Sequence, residues 1–282
     1  MSTPSFDPVA IAIEEDIGNG DITSEFFVPV MIQASAQIVA REKAVVAGTK
    51  IAAEVFRRID PAIRIQIVRG DGATIASGKP IIVLNGPARS ILKGERVALN
   101  FLQRLSGIAT LTQKFVQAAG KSRVKILDTR KTTPGLRAFE KAAVVAGGGG
   151  NHRFGLFDMV LVKDNHIVAR SGLSGLAAAI QRVHEARPGV RIEVEADRLD
   201  QVRGILAMAD VDVILLDNMK PAEMRKAVAL GKGKVKFEAS GGITLKNVRL
   251  IAATGVDYIS IGAITHSAPS VDLSLEIKNV AT

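Results

Sequence analysis

Six short apolar runs recur through the second half of the chain, and their spacing is the strongest constraint on its fold. They begin near Val124, Met159, Arg191, Val211, Val235 and Val256. Helical patterns lie between most of them, at Leu173–Glu185, Asp200–Met208, Pro221–Leu230 and Leu245–Ala253. Short apolar runs alternating with amphipathic stretches are the mark of parallel β/α units. The class is therefore α/β, either a parallel β/α-barrel, incomplete at about six strands, or a doubly wound sheet. The polar groups favour the barrel. Each run ends in something reactive: Asp128-Thr129-Arg130-Lys131, Lys163-Asp164-Asn165-His166, Glu195, Asp217-Asn218, Ser240-Gly241-Gly242 and Gly262. Sites of β/α folds assemble at the C-terminal ends of the strands.

The first 110 residues lack this rhythm. Ile11–Ile17 reads as a helix, and Asp21 to Glu25 carries helix-start chemistry. Gln33–Arg41, Ile63–Val68 and Ile81–Leu84 read as strands, with a helix over Thr49–Arg58. Residues 88–118 form one long helical stretch, with Ala98, Phe101, Leu102 and Leu105 on one face. That helix bridges the two parts. The stretch 71–86 has the look of a biotinyl-type hairpin but lacks an attachment motif, so a small sheet with glycine turns is the reading kept.

Composition narrows the function. The core is aliphatic, since the chain has no Trp and one Tyr. It has no Cys, which removes disulfides, thiolate catalysis and Cys-ligated metals. The N-terminus lacks a basic region followed by an apolar one, and no window of about 18 to 20 residues is continuously apolar, so no signal peptide, no membrane span and a cytoplasmic location are expected. The formal net charge of +9 admits nucleic acid, membrane or a small anion as partner. No run of cations exceeds two, and few aromatics are available for stacking, so an anionic substrate is favoured over nucleic acid.

Between Asp128 and His166 the chain places Arg130, Lys131, Arg137, Lys141, Arg153 and Lys163, with His152 and His166. Arg grips carboxylate or phosphate through two N–H groups, and Lys acts as a point charge. For Arg137 and Lys141 a surface role competes evenly with a site role. The stretch reads as two adjacent strand ends joined by a glycine-rich excursion at 147–150. Ser240-Gly241-Gly242 and Gly262-Ala263 both follow strands, and such glycine turns let N–H groups approach a phosphate. His266 follows the second turn. Glu195 and Asp217 end apolar strands, where an ionised carboxylate needs a partner, either Lys163 or Arg130 or a magnesium ion. Lys163 as a Schiff-base lysine is a weaker reading. His184 reads as surface.

At these residues the sequence resembles the quinolinate phosphoribosyltransferases, the decarboxylating nicotinate-nucleotide pyrophosphorylases. The resemblance runs through nearly the whole chain: EDIG with GDIT at 15–23, LSGIAT at 105–110, DTRKTTPGLR at 128–137, GGGGNHR at 147–153, LVKDNH at 161–166, EVE at 193–195, LLDN at 215–218, SGGI at 240–243 and SIGAITHSA at 260–268. It implies an N-terminal α/β sandwich over 1–113, joined by residues 270–282, and an incomplete barrel over 114–269. It implies transfer of phosphoribosyl from phosphoribosyl pyrophosphate to quinolinate with decarboxylation, in a homodimer or hexamer of dimers with interface sites. Magnesium is the implied cofactor, with no organic one. By resemblance Arg130, His152, Arg153 and Lys163 bind quinolinate, with Arg96 reaching in from a neighbouring subunit and Thr129 beside them. Lys131 and Lys163 face pyrophosphate. Glu195 and Asp217 hold magnesium or ribose. Ser240, Gly241, Gly242, Gly262, Ala263 and His266 cradle the 5′-phosphate. Lys131, Lys163, Glu195 and Asp217 form the catalytic set. The rivals are a molybdenum-linked relative on the same scaffold, a Schiff-base lyase, and a basic binding module.

Overall fold

The computed structural model describes residues 6–169 and 175–281. Its contacts divide the chain into two compact units. Unit 1 comprises Met1–Gln113, Thr132–Gly148 and Ile264–Thr282, and unit 2 comprises Lys114–Lys131 and Gly149–Ala263.

The first elements are α1 (Pro8–Ile17), α2 (Ile22–Phe27), β1 (Gln33–Ala40), β2 (Ala44–Val45), α3 (Thr49–Ile59), β3 (Arg64–Ile67), β4 (Thr74–Ile75), β5 (Pro80–Pro87) and α4 (Ala88–Ala118). Next come β6 (Lys125–Leu127), α5 (Arg137–Ala146), β7 (Val160–Val162), α6 (Asp164–Ala169), α7 (Leu176–Ala186), β8 (Ile192–Ala196) and α8 (Leu199–Leu206). The last are β9 (Val213–Asp217), α9 (Pro221–Gly231), β10 (Lys236–Ser240), α10 (Val248–Ala252), β11 (Tyr258–Ser260), α11 (Ala263–His266) and β12 (Leu273–Ala281). The helix expected from Leu173 is α7; residues 173 and 174 lie outside the described residues.

Unit 1 is built on an antiparallel sheet, in the order β12-β1-β5-β3. Asp7 and Asp21 start α1 and α2 by accepting backbone N–H groups of the first turn, the chemistry the Asp21 segment announces. Phe56 of α3, Ile91 and Leu102 of α4, and Ile38, Ile82 and Leu84 of the sheet are fully buried in one cluster. Each such side chain contributes about 1.5–3 kcal/mol relative to exposure. Gly94 lets α3 approach α4, for a Cβ there would sit 2.8 Å from the Phe56 ring.

Unit 2 is a six-stranded parallel sheet in the order β6-β11-β10-β9-β8-β7. A doubly wound sheet reverses its strand order at a switch point. Here the neighbours follow chain order from β7 to β11 and then return to β6, which is the order of a barrel opened between β6 and β7. The barrel is not closed. β6 and β7 are the two edges, so the strand ends at Asp128 and Lys163 are not adjacent in the ladder, and the expected neighbourhood is corrected. Gly150 lies beside β6 instead. Its N–H donates to Ile126 O at 2.8 Å, and its carbonyl accepts from Asp128 N–H at 3.1 Å. The excursion between the two strands also contains α5, whose Lys141 is buried, which goes against the surface role.

One face of this sheet, at Ile126, Ile192, Val194, Ile214, Leu216, Phe237 and Ile259, is wholly apolar. Side chains alternate across a strand, so the opposite face carries Leu127, Glu193, Glu195, Leu215, Asp217, Glu238, Ser240 and Ser260. Buried carboxylates on that face mark where polar chemistry sits.

Candidate active site

The strand ends of unit 2 bring two groups of predicted residues together. The first is Glu195, Asp217 and Lys163. Burial, and after it the Asp217 charge, push the Glu195 carboxyl above the usual carboxylate range, while Lys163 pulls it back. Two carboxylates that repel, with one lysine beside them, form an oxygen-rich set suited to a hard cation or to ribose hydroxyls. Asn218 adopts a left-handed backbone with φ of 52° and donates to Asp217 Oδ2 at 2.8 Å. Its N–H donates to Ser240 O at 2.9 Å, tying β9 to β10. The Asn218 side chain also occupies the space over Gly241, where a Cβ would lie 2.1 Å from Asn218 Oδ1.

Gly241 and Gly242 both have positive φ, at 89° and 60°. Asn247 pins this turn, donating to Gly242 O at 2.9 Å and accepting from Thr244 N–H at 2.8 Å. α10 begins only at Val248, so the Ser240-Gly241-Gly242 turn does not run straight into a helix as the sequence implies. Gly262 precedes the single turn α11.

The second group is Arg130 with Asn151-His152-Arg153. Arg153 is buried and donates to Met159 O at 3.2 Å. Burial, and after it the Arg130 charge, hold its guanidinium below the usual arginine range. Two guanidiniums within each other's field favour an anion with more than one negative charge. Thr129 Oγ1 accepts the Lys131 N–H at 3.0 Å and shapes the turn that leaves Lys131 exposed.

His152 is less available than its motif suggests. Its Nδ1 accepts the Arg153 N–H at 2.7 Å, and its Nε2 lies 3.0 Å from Glu193 Oε2 and 3.6 Å from Glu238 Oε1. These three side chains are the one His and acid cluster with metal-ligand spacing among the described residues. They line a cavity of about 280 Å³ with Arg153, Lys125 and Tyr258. Lys125 and Tyr258 begin their strands, so the cavity reaches toward the end of the sheet opposite Glu195 and Asp217. Sequence reasoning preferred Glu195 to Glu193 and passed over Glu238. The only signal was a carboxylate in mid-strand within an apolar run.

Two predicted residues are not in this unit. Arg96 is exposed on α4, and His266, hydrogen-bonded to Ser267, is exposed as the last residue of α11; both group with unit 1. No helix among the described residues is long and apolar enough to cross a membrane.

Comparison with known proteins gives a consistent match along the chain. Residues 21–106 match the family model of the quinolinate phosphoribosyl transferase N-terminal domain, and residues 108–276 that of the C-terminal domain. A probable nicotinate-nucleotide pyrophosphorylase [carboxylating] of Bacillus subtilis is 45% identical over 93% of this chain and 90% of its own. A quinolinate phosphoribosyltransferase [decarboxylating] of Nicotiana glauca is 41% identical over 95% of this chain and 80% of its own. The structure of the nicotinate-nucleotide pyrophosphorylase from Francisella tularensis superposes with a TM-score of 0.91 at 40% identity, covering 96% of this chain and 94% of that one.

Proposed function

The chain belongs to the quinolinate phosphoribosyltransferase family, and from that premise we propose how its residues carry out the reaction. Phosphoribosyl pyrophosphate and quinolinate give nicotinate mononucleotide, pyrophosphate and carbon dioxide, a step of NAD biosynthesis. The observation that carries the residue roles is the Arg130–Arg153 pair, two cations in one field. Quinolinate, with two carboxylates on adjacent ring carbons, is the anion of matching charge. Lys163 and the partner subunit's Arg96 complete the grip.

The ring nitrogen attacks C1′ as the bond from C1′ to pyrophosphate breaks, and its electron pair leaves with pyrophosphate. C1′ becomes oxocarbenium-like, and the carboxylates of Glu195 and Asp217 stabilise that charge. Lys131 and Lys163 meet the departing pyrophosphate. Ser240, Gly241, Gly242, Gly262 and Ala263 hold the 5′-phosphate through backbone N–H groups, with His266 beside them. The product of attack is an N-ribosyl pyridinium. Its C2 carboxylate leaves as carbon dioxide, the bonding pair stays on C2 beside the positive nitrogen, and a proton then adds there. The ring is its own electron sink, so the chemistry calls for no organic cofactor. Magnesium, when bound with the pyrophosphate, neutralises charge on the leaving group. Glu195 and Asp217 fit as its oxygen ligands, directly or through water or substrate, because their mutual repulsion is relieved by a dication.

The active unit in this reading is a homodimer, alone or within a hexamer, located in the cytoplasm. Support for the dimer comes from Arg96, exposed on unit 1, and from Phe26 and Phe27, which are 81% and 82% exposed there. Mixing Arg96→Ala and Arg153→Ala proteins, at a quinolinate concentration too low for either alone to turn over, tests it. Shared sites restore part of the activity, and self-contained sites restore none. Arg153→Ala alone tests the substrate. It raises the quinolinate KM steeply, and an unchanged KM removes Arg153 from the carboxylate site.

A further inference from the structure

Asn151, His152 and Arg153 follow the point where the edge strands β6 and β7 fail to pair. The Leu127–Gly150 bridge ties the preceding residue to β6, and the glycines at 147–150 give the approach little stiffness. Side chains take over the anchoring. Asp128, just past β6 and fully buried, accepts the His152 N–H at 2.8 Å. Glu193 of β8 and Glu238 of β10 approach the His152 ring at 3.0 and 3.6 Å. Three carboxylates carried by three strands thus converge on one residue, the one preceding Arg153.

We propose that Glu193 and Glu238 are positioning residues that hold His152 as a neutral strut, its proton on Nε2, and thereby fix Arg153 for a quinolinate carboxylate. His152 then makes no contact with quinolinate. The inference rests on the reading of Arg153 as a quinolinate ligand.

The tautomer follows from the Arg153 N–H. That group donates to Nδ1 at 2.7 Å, so Nδ1 keeps its lone pair and the ring proton is on Nε2, facing Glu193. Burial opposes charge on the ring, while Glu193 and Glu238 favour it and raise its proton affinity on balance. A second proton would have to sit on Nδ1 against the Arg153 N–H, and that contact decides for the neutral ring. Both nitrogens therefore already face protein groups. The ligand atoms of His152, Glu193 and Glu238 lie within 4.8 Å of one another, close enough for a metal. Their balancing cation is instead Arg153, which lies in the field of Glu193. Burial, and after it the Glu193 charge, push the Glu238 carboxyl up, so Glu238 is the neutral member of the pair and glutamine is its close mimic.

Two measurements test this. The first uses wild-type protein labelled with 15N-histidine, with His152→Gln identifying which of the four imidazoles is His152. At pH 7.5 the expected state is a protonated Nε2 and a bare Nδ1, unchanged by saturating quinolinate. An imidazolium, a proton on Nδ1, or shifts that move with quinolinate overturn the strut. The second is kinetic. Glu193→Ala raises the quinolinate KM about 10- to 100-fold, the usual cost of removing an orienting partner, and leaves the phosphoribosyl pyrophosphate KM within about two-fold. Glu238→Ala acts in the same direction, and Glu238→Gln rescues it. Equal rises in both KM values, or no rescue by glutamine, overturn the proposal. Where a variant folds poorly, the labelled wild type decides. A wild type without quinolinate turnover sinks the functional reading, and the tautomer in the free protein then judges the strut by itself.

Discussion

The Arg104 guanidinium meets the Glu140 carboxylate at 2.9 Å, and Glu140 is fully buried. Glu140 also accepts from Thr133 Oγ1 at 2.7 Å and from Thr133 N–H at 3.2 Å, while Arg104 donates to the carbonyls of Ala268 and Thr265. One ion pair therefore holds α4, α5, Thr133, the last turn of α11 and the segment after it in unit 1. Glu140→Ala leaves Arg104 without its carboxylate and should cost about 3–5 kcal/mol. Urea unfolding measures it, and a loss below about 1 kcal/mol would show that the pair is not structural.

Gly241→Ala meets two obstacles, a φ of 89° and Asn218 Oδ1 at 2.1 Å from the new Cβ. The turn must shift, with about 1–3 kcal/mol of strain. The phosphoribosyl pyrophosphate KM should rise about ten-fold or more, since that loss is worth one decade per 1.4 kcal/mol. Asn218→Ala in the same chain removes the collision but not the backbone strain. The double variant should recover stability only in part, and full recovery would mean that φ at Gly241 is not constrained.

Glu238 makes stability depend on pH. Its carboxyl is pushed up to about 8 in the folded protein, from 4.5, by burial first and Glu193 second. Between those values the native state binds a proton that the unfolded chain has released. The contribution is full below the unfolded value and is lost as pH rises through the folded one. It amounts to a few kcal/mol at most, on the order of 1.4 kcal/mol for each decade in proton affinity between the two states. Wild-type Tm should fall between about pH 5 and 8 and level off above that, and Glu238→Gln should flatten that fall. Parallel curves for the two proteins would remove Glu238 as the cause.

Glu195 is raised by burial and by Asp217, so protons compete with a cation at that pair. The magnesium requirement should rise as pH drops into the raised range, and chelation should abolish turnover. Asp217→Asn relieves the repulsion, so Glu195 should titrate lower and the magnesium requirement should change less with pH. A requirement that is flat in both proteins would place the metal elsewhere.

Much of unit 2 was legible because each apolar run ends in a polar group, and that pattern marks the C-terminal strand ends whatever the curvature. Asp217 and Ser240 end β9 and β10, and Gly241 follows, as that pattern implies. The order of the sheet was not readable. Nothing in Asp128 or Lys163 says that β6 and β7 are edges, because edge or interior position depends on pairing with distant strands. Lys141 reads evenly as a surface or a site cation, and only its place on α5 shows it buried. Glu238 in Lys236-Phe237-Glu238-Ala239-Ser240 has the alternation of a strand with one wet face, whereas in the fold Glu238 is buried. The surroundings of His152 show the same limit. Its motif is visible in the sequence, but the carboxylates that face its ring come from strands 41 and 86 positions later.

Quinolinate labelled with 13C in its 2-carboxylate tests the central claim most directly. With phosphoribosyl pyrophosphate and magnesium, the purified protein should release labelled carbon dioxide and pyrophosphate in equal amounts with unlabelled nicotinate mononucleotide. A nucleotide that keeps the label, or no nucleotide where a working relative forms it under the same conditions, would contradict the account.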